Sequence, residues 1–513
     1  MAQNQRLFAV IVIGGQNIFL QVVDQKNLQI IENTKYDIDL GEDVFSVQVI
    51  HSKTVNEITA ALLRIKQLLD DYQIHDYEAF ATHSFHEADN AEFVREQLSE
   101  RTGFYLKWLS QSQEALYRNQ ATLTYMANFP KIIKKSALLI DISSGSVELT
   151  AYRAGKFVFS RNLKLGPLRV YEVMRDMKDK VPNFVEVLRD YVSSQLVDFV
   201  RLSPSSGPFD NVILMGSAIS IFEPMIQTTD RTVQLTINEF QDLYDRMIHG
   251  SDQYLIKHFQ LESDDVPQVL PVMVLLKQLL SYYDIQDIWV AALKLVDGIA
   301  VDMVERRRKS PQKTALQNEQ ILTSAQNLAR RYQVEPKHQQ FVADISLKLF
   351  DRLKKIHGLN QRDRLLLQIA AMVEDVGTYI NNHNHYAHSD YIIQHSEILG
   401  LSEPELTMVG AIARYHSVNT PSAELSRFDE LPIQLRMTIA KLTAILRLAD
   451  ALDDSRQQKI KSISVSLKQP TKLIITAVAN DDIELEKWTF KRKGEFFEDV
   501  FGLEPILKGR VQI

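Results

Sequence analysis

The sequence predicts an α/β protein of several domains: two lobes built of strands and helices, an almost wholly helical domain, and a small α+β domain at the end. Three observations predict this. Residues 9–20, AVIVIGGQNIFL, and residues 138–149, LLIDISSGSVEL, repeat one pattern of apolar strand, small-residue loop and apolar strand. Residues 316–456 carry helical periodicity, with loops expected near 381–390 and 417–432. Residues 460–480 alternate as two strands, ISVSL and KLIITAVA.

In chain order, residues 6–23 and 29–39 read as strands, and 54–73 as a helix capped by Thr54. The strand EAFATHS follows. AEFVREQLSERTG is a helix that Gly103 ends, and the strand FYLKWLS delivers Glu114 to a helix start. The first lobe thus covers 1–127. The second, 128–305, opens with the repeated hairpin and continues through the strand KFVFSRNLKLG and helices over about 168–200. NVILMGSAIS is a buried strand that turns at Gly216. Residues 234–250 and 267–308 read as helical. Arg306-Arg307-Arg308-Lys309 suits the negative end of a helix dipole, and Ser310-Pro311 breaks the run. The helical domain takes 316–456. The small domain takes 457–513 and includes a helix over about 486–501, whose Lys491-Arg492-Lys493 reads as a solvated face. Trp488, Phe490, Phe496 and Phe497 there suggest packing against the lobes or a second chain.

A chain of 513 residues needs more than one core. Its formal net charge of −7 and sequence pI near 6.0 argue against a generic nucleic-acid binder. No cysteine is present, which excludes disulfides, thiolate metal sites and cysteine nucleophiles. No apolar run is long enough to span a bilayer. The expectation is a cytoplasmic protein with no membrane partner and no specific nucleic-acid partner.

Several residues carry possible chemistry, each with a plainer reading beside it. In the second hairpin, Asp141 ends the apolar run, Ser143, Ser144, Gly145 and Ser146 form the loop, and Glu148 follows. Small residues permit a tight turn whose N–H groups face an anion, and a neighbouring carboxylate can hold magnesium against a phosphate. A simple hairpin with a solvated Asp is the plainer reading. In the first copy, Gly14 and Gly15 fall on Ser143 and Ser144, and Asn17 on Ser146, but Val12 and Phe19 stand where Asp141 and Glu148 do. Two such lobes across a cleft would suit a nucleotide or phosphate. Glu114 either stabilises its helix start or activates water. ATHSFHEADN, residues 81–90, follows a strand end where clefts form, or is a turn capped at Asp89 or Asn90. His338, Asp375 and Asp450 sit on separate helices and either converge on a metal or do not; His383, His385 and His388 lie in the loop after the acidic pair and either join such a site or are simply solvated.

These stretches resemble the exopolyphosphatase / guanosine-pentaphosphate phosphohydrolase family over nearly the whole chain. ALLIDISSGSVELT is similar to the family's second phosphate loop, and SRNLKLGPLRV, with Gly166 and Arg169, to the segment after it. SQSQEALYR resembles the motif that holds the catalytic glutamate, at Glu114. ATHSFHEADN resembles a motif with a phosphate-gripping Arg where this chain has His86. IAAMVEDVGTYI, HYAHSDYIIQHSEILG and ARYHS resemble an HD-type domain, with Glu374 in place of the His of its His-Asp pair.

The resemblance implies an actin-like, Hsp70-like, sugar-kinase (RNase H-like) pair of lobes, then an all-α HD-type domain and a small α+β domain. It implies release of terminal phosphate from inorganic polyphosphate or guanosine pentaphosphate by in-line attack of water. Glu114 would activate the water, and Asp141 and Glu148 would hold Mg2+. Gly14, Gly15, Asn17, His86, Ser143, Ser144, Gly145, Ser146, Arg169 and Gly216 would surround phosphate. A homodimer is implied as well. Val12 and His86 depart from the family pattern and point to impaired activity; a neutral His lacks the fork of a guanidinium. Two alternatives stand beside this reading. One is a nearly inactive polyphosphate- or guanosine-polyphosphate-binding regulator. The other, weaker, is an ATP phosphotransferase on the same fold.

Overall fold

In the computed structural model the described residues are 7–178, 180–202, 208–226, 231–263, 265–283, 285–308, 310–417, 433–468 and 471–511. They fall into two compact units, Met1–Gln317 and Asn318–Ile513. The expected loop at 417–432 lies, from 418 on, outside the described residues.

The first unit contains two sheets of matching topology. In one, β1 (Leu7–Ile13), β2 (Asn17–Asp24) and β3 (Ile30–Asp37) form an antiparallel meander, and β4 (Tyr77–Ala81) and β5 (Leu106–Trp108) extend it in parallel, in the order β3-β2-β1-β4-β5. In the other, β6 (Ser136–Ile142), β7 (Val147–Arg153) and β8 (Lys156–Leu163) repeat the meander. There β9 (Phe209–Met215), β11 (Ile285–Ala291) and the antiparallel edge β10 (Thr232–Thr236) complete the order β10-β11-β9-β6-β7-β8. The two sequence repeats are therefore the equivalent hairpins of the two sheets. Their central strands β1 and β6 are buried almost throughout, because helices cover both faces and leave no solvated side to alternate.

Two stretches read as helix contain strands. β10 precedes the helix Ile237–His249, and β11 interrupts the expected 267–308 helix, which divides into Val266–Ser281 and Leu295–Arg308. The sequence IQDIWVA is a short run between two helices, and over so few residues periodicity does not separate a strand from a helix. Thr54 lies within the first turn of Ser52–Asp71, whose N-cap is His51.

The helix Gln111–Tyr125 lies between the sheets. A capping box of Ser110 and Gln113 starts it, and every residue from Glu114 to Thr122 is buried. Tyr117 packs with Val10, Val12 and Phe80 of the first sheet, while the Thr122 hydroxyl lies 3.4 Å from Met215 Sδ of the second. The helix Leu295–Arg308 crosses it and joins the same cluster through Leu295, Val296 and Ile299. Gly298 is the crossing point: a methyl group there would collide with the Tyr117 carbonyl.

The second unit contains helices Pro336–His357, Gln361–Val373, His385–Gln394, Glu403–Tyr415 and Ile433–Ala451. A sheet of β12 (Ile460–Lys468), β13 (Lys472–Ala479) and β14 (Glu504–Val511), in that order, is joined by the helix Glu484–Phe501. The expected loop at 381–390 is helical from His385, since Tyr386, Ile392 and Ile393 face the core. Phe490 and Phe497 are buried within this unit's own core, although Trp488 is exposed. Lys493, read as solvated, is buried against Asp450. Among the described residues no helix is long and apolar enough to cross a membrane.

The crossing at Gly298 makes a direct test. Gly298→Ala forces the two helices apart and should cost about 1–3 kcal/mol, as overpacking does. Chemical denaturation checks this, and an unchanged midpoint would show that the crossing is looser than described.

Candidate active site

The loops that end β1 and β6 face one another. A Cβ on Gly15 would stand 2.6 Å from Ser144 Oγ, so contact at this distance requires a glycine on one side. Gly166 is equally constrained, because any side chain would enter the backbone of Ser144, Gly145 and Ser146. The Ser144 carbonyl accepts the N–H groups of Leu168 and Arg169, at 3.1 and 3.2 Å, from the first turn of the Pro167–Met174 helix. None of Gly14, Gly15, Ser143, Ser144 and Gly145 has a positive φ. Close approach, not left-handed backbone, is what demands small residues here, and serine therefore serves at 143 and 144.

Between the loops lies a cavity of about 50 Å³. Gly14, Gly15, Asn17, Thr82, Ser84, Glu114, Ser143, Ser144 and Gly216 line it, together with Arg118, Ser217 and Lys294. Past Gln16, Phe19 and Lys294 it meets a chamber of about 400 Å³ that also contains Lys35, Glu223, Gln260, Glu262 and Asp265. Gly216, at φ 104°, closes the inner end; a side chain there would strike Asp141 Oδ1 and the Ile142 backbone.

Arg118 governs the electrostatics. It is fully buried, one turn after Glu114, and its Nη2 donates to Glu114 Oε2 at 3.1 Å while its Nε faces Asp141 Oδ2. The main-chain N–H of His83 donates to Glu114 Oε1 at 2.8 Å. Both oxygens of the glutamate are thus held from the first lobe. Burial pushes the Asp141 carboxyl up to about 6; Arg118 opposes this shift and Glu114 adds to it.

Asp141 and Glu148 stand directly opposite one another across β6 and β7. Glu148 accepts from Ser160 Oγ at 2.7 Å and Asn162 Nδ2 at 3.1 Å, and Asp141 faces a guanidinium.

Four residues expected at phosphate do not line this cavity. His86 packs against Trp108 with ring centres 4.7 Å apart and planes tilted by 48°, and does not line the cavity. Arg169 is no spare cation: its Nε donates to the Gly145 carbonyl at 2.8 Å, its Nη2 to Glu87 Oε2 at 2.5 Å, and its plane covers Phe45. Gly145 sits beneath Phe45 and Ser84, and Ser146 Oγ pairs with Ser143 Oγ at 3.2 Å. Sequence reasoning missed Arg118 and Lys294. The i,i+4 spacing from Glu114 was a usable signal for Arg118; for Lys294, the signal was its place just beyond a strand, but that strand was itself unrecognised.

In the second unit His338, Glu374, Asp375 and Asp450 converge. His338 Nε2 is 3.3 Å from Asp450 Oδ1 and 3.9 Å from Asp375 Oδ2, and its Nδ1 is 2.9 Å from Asp453 Oδ2. Burial opposes charge on this imidazole, yet Asp450 and Asp453 raise its pKa to about 10. Lys493 sits on Asp450. Although burial opposes it, Lys493 and His338 hold Asp450 well below the usual carboxylate range. Glu374 is buried with both carboxyl oxygens unpartnered, and burial, then Asp450 and Asp375, push its pKa well up. His338, Lys493 and Arg456 thus face Asp375, Asp450 and Asp453.

The model of the Ppx/GppA phosphatase family matches residues 19–307, and that of Ppx/GppA phosphatase domain III matches 322–493. The chain belongs to the Ppx/GppA phosphatase family. It is 20% identical over 472 residues to a guanosine-5′-triphosphate,3′-diphosphate pyrophosphatase of Vibrio vulnificus, covering 90% of this chain and 89% of that one. It is 22% identical over 316 residues to a bifunctional 3-dehydroquinate synthase/phosphatase of Fusobacterium nucleatum, covering 59% of this chain and 45% of that longer protein. An exopolyphosphatase structure from Cytophaga hutchinsonii aligns with a TM-score of 0.50 at 14% identity, over 58% of this chain and 98% of that one. That likeness concerns the fold, a two-lobed α/β body ahead of a helical region.

The Glu87 cluster gives a pH prediction. Burial would raise the Glu87 carboxyl, but His83, Arg169 and Lys164 win and lower it from 4.5 to about 2. A depressed carboxyl contributes stability that is complete above its unfolded pKa and disappears as pH falls through the folded one. Glu87→Gln should therefore remove about 2 kcal/mol near neutrality, allowing for solvent screening, and flatten the stability profile between pH 4.5 and 2. Urea melts across that range measure it; a parallel profile would show that the cluster contributes nothing.

Proposed function

We propose that the chain is a phosphohydrolase that removes the terminal 5′ phosphate of guanosine pentaphosphate or a closely similar nucleoside polyphosphate. The observation that carries the substrate choice is the pair of joined cavities. The inner one is phosphate-sized and lined by small residues, Glu114 and Arg118. The outer one is broader and not strongly basic: Lys35 pairs with Glu262 at 3.4 Å and Lys294 with Glu223 at 3.3 Å, with Asp265 beside them. A bare polyanion would meet three carboxylates and two ammonium groups there. A nucleoside, neutral and flat, fits that lining better.

In this reading the terminal phosphate enters between the two hairpin loops. Water attacks its phosphorus in line, the bridging P–O bond breaks, and the leaving oxygen departs toward the chamber. Glu114, oriented by Arg118 and the His83 N–H, takes the proton of the attacking water. Arg118 and Lys294 face the charge that spreads over the transferred group. The chemistry is mostly positioning, since phosphoryl transfer asks for little else.

A second reading, a guanosine-polyphosphate-binding regulator with little turnover, is favoured by one observation. Arg118 is tied to Asp141 and Glu114 at once, and Val12 supplies no carboxylate from the first loop.

One set of assays separates these readings. Phosphate release from guanosine pentaphosphate should exceed that from long-chain polyphosphate by about tenfold or more in kcat/KM. The reverse order would assign the site to polyphosphate, and tight binding without release would favour the regulator. Glu114→Gln should lower kcat by about a hundredfold or more with a small change in KM, because the amide keeps the size but takes no proton. Unaltered turnover in that variant would remove Glu114 from the mechanism.

A further inference from the structure

The helical unit contains a set of ligating atoms apart from the His338 cluster. His385 opens the helix His385–Gln394, His416 follows the helix Glu403–Tyr415, and Asp375 starts the turn Val376–Tyr379. His385 Nε2 lies 3.3 Å from His416 Nε2 and 3.7 Å from Asp375 Oδ1. The other ring nitrogens face carbonyl oxygens: His385 Nδ1 is 3.1 Å from the Asn382 oxygen, and His416 Nδ1 meets that of Ala413.

Carbonyl oxygens only accept, so each Nδ1 carries its proton and donates it. Each neutral ring then presents a bare Nε2 lone pair, and the two lone pairs point at one another in a site where His416 is buried. Two lone pairs at that distance repel unless a cation lies between them. A backbone carbonyl behind the ligating ring is also the arrangement that orients metal-bound histidine. The spacing fits: two Zn–N bonds of about 2.05 Å at a tetrahedral angle place their nitrogens about 3.3 Å apart.

The carboxylate is prepared in the same way. Arg456 Nη2 donates to Asp375 Oδ2 at 2.6 Å, which leaves Oδ1 toward the imidazoles. The approach of His385 is built in. Gly377 touches the His385 carbonyl and the Ser389 N–H so closely that any side chain would collide, and Ser389 Oγ ties Glu374 O at 2.5 Å to Gly377 N at 2.9 Å. Helix and turn are thereby docked at the ligands. The His385 side chain is 23% exposed, which leaves a way in for an ion.

The geometry points to a divalent transition-metal site formed by Asp375, His385 and His416, three protein ligands with a fourth position left for water. Two imidazoles and one carboxylate suit zinc, cobalt, nickel or iron over magnesium or calcium, which prefer oxygen. The neighbouring His338, Glu374 and Asp450 are not part of it, because the Lys493 ammonium already occupies Asp450.

The test uses the full chain, stripped with chelator and titrated with cobalt(II), read by the visible absorption of the coordinated ion and by metal analysis. One cobalt per chain should bind, zinc should displace it, and zinc should raise the melting temperature. His385→Gln and His416→Ala should each weaken binding by about tenfold or more. Asp141→Asn, in the other unit, should leave it unchanged. His385 is partly exposed at a helix start, so its variant should fold even if the His416 variant does not. No saturable cobalt signal, or undiminished binding by His385→Gln, would overturn the site and leave a proton shared between the two rings as the explanation.

Discussion

A single guanidinium holds the candidate active site together. Arg118 reaches from the first lobe's helix to Glu114 on its own turn and to Asp141 on the second lobe's central strand. All three groups are buried. Two carboxylates so close would repel and would lose the hydration of their charges. The guanidinium offsets both penalties, and breaking such a pair from one side typically costs about 3–5 kcal/mol. The site's electrostatics and the seating of one lobe on the other are therefore one interaction. The same interaction sets a cation of the chain's own directly beside Asp141.

The tight loops are the second constraint. Gly15 against Ser144, Gly166 against the second loop and Gly216 against Asp141 leave room for hydrogen only. That steric economy sets how small the inner cavity is. It also explains why the loop can read Ser-Ser-Gly-Ser, since none of these residues needs a left-handed backbone.

Much of this was legible in the residues. The repeat of 9–20 at 138–149 announced equivalent hairpins, and the small-residue loops and Glu114 announced where the cavity lies. What was not legible followed from long-range contacts. IQDIWVA read as helix because seven residues are too few to break the helical pattern of the segments on either side. Glu148 accepts from Ser160 and Asn162 on the next strand, and no local pattern reveals that register. His86 turns to Trp108, which is distant in sequence. Lys493 sits in a run of three cations that looks solvated, and only the packing of its helix on Ile433–Ala451 decides that one of the three goes inside.

The crossing of the helices Gln111–Tyr125 and Leu295–Arg308 has a mechanical side. With hydrogen alone at Gly298 against the Tyr117 carbonyl, the two axes meet as closely as helices can, and neither can slide lengthwise without first separating. The helix that carries Glu114 and Arg118 is therefore pinned at that point, one turn from the side chains that line the phosphate cavity.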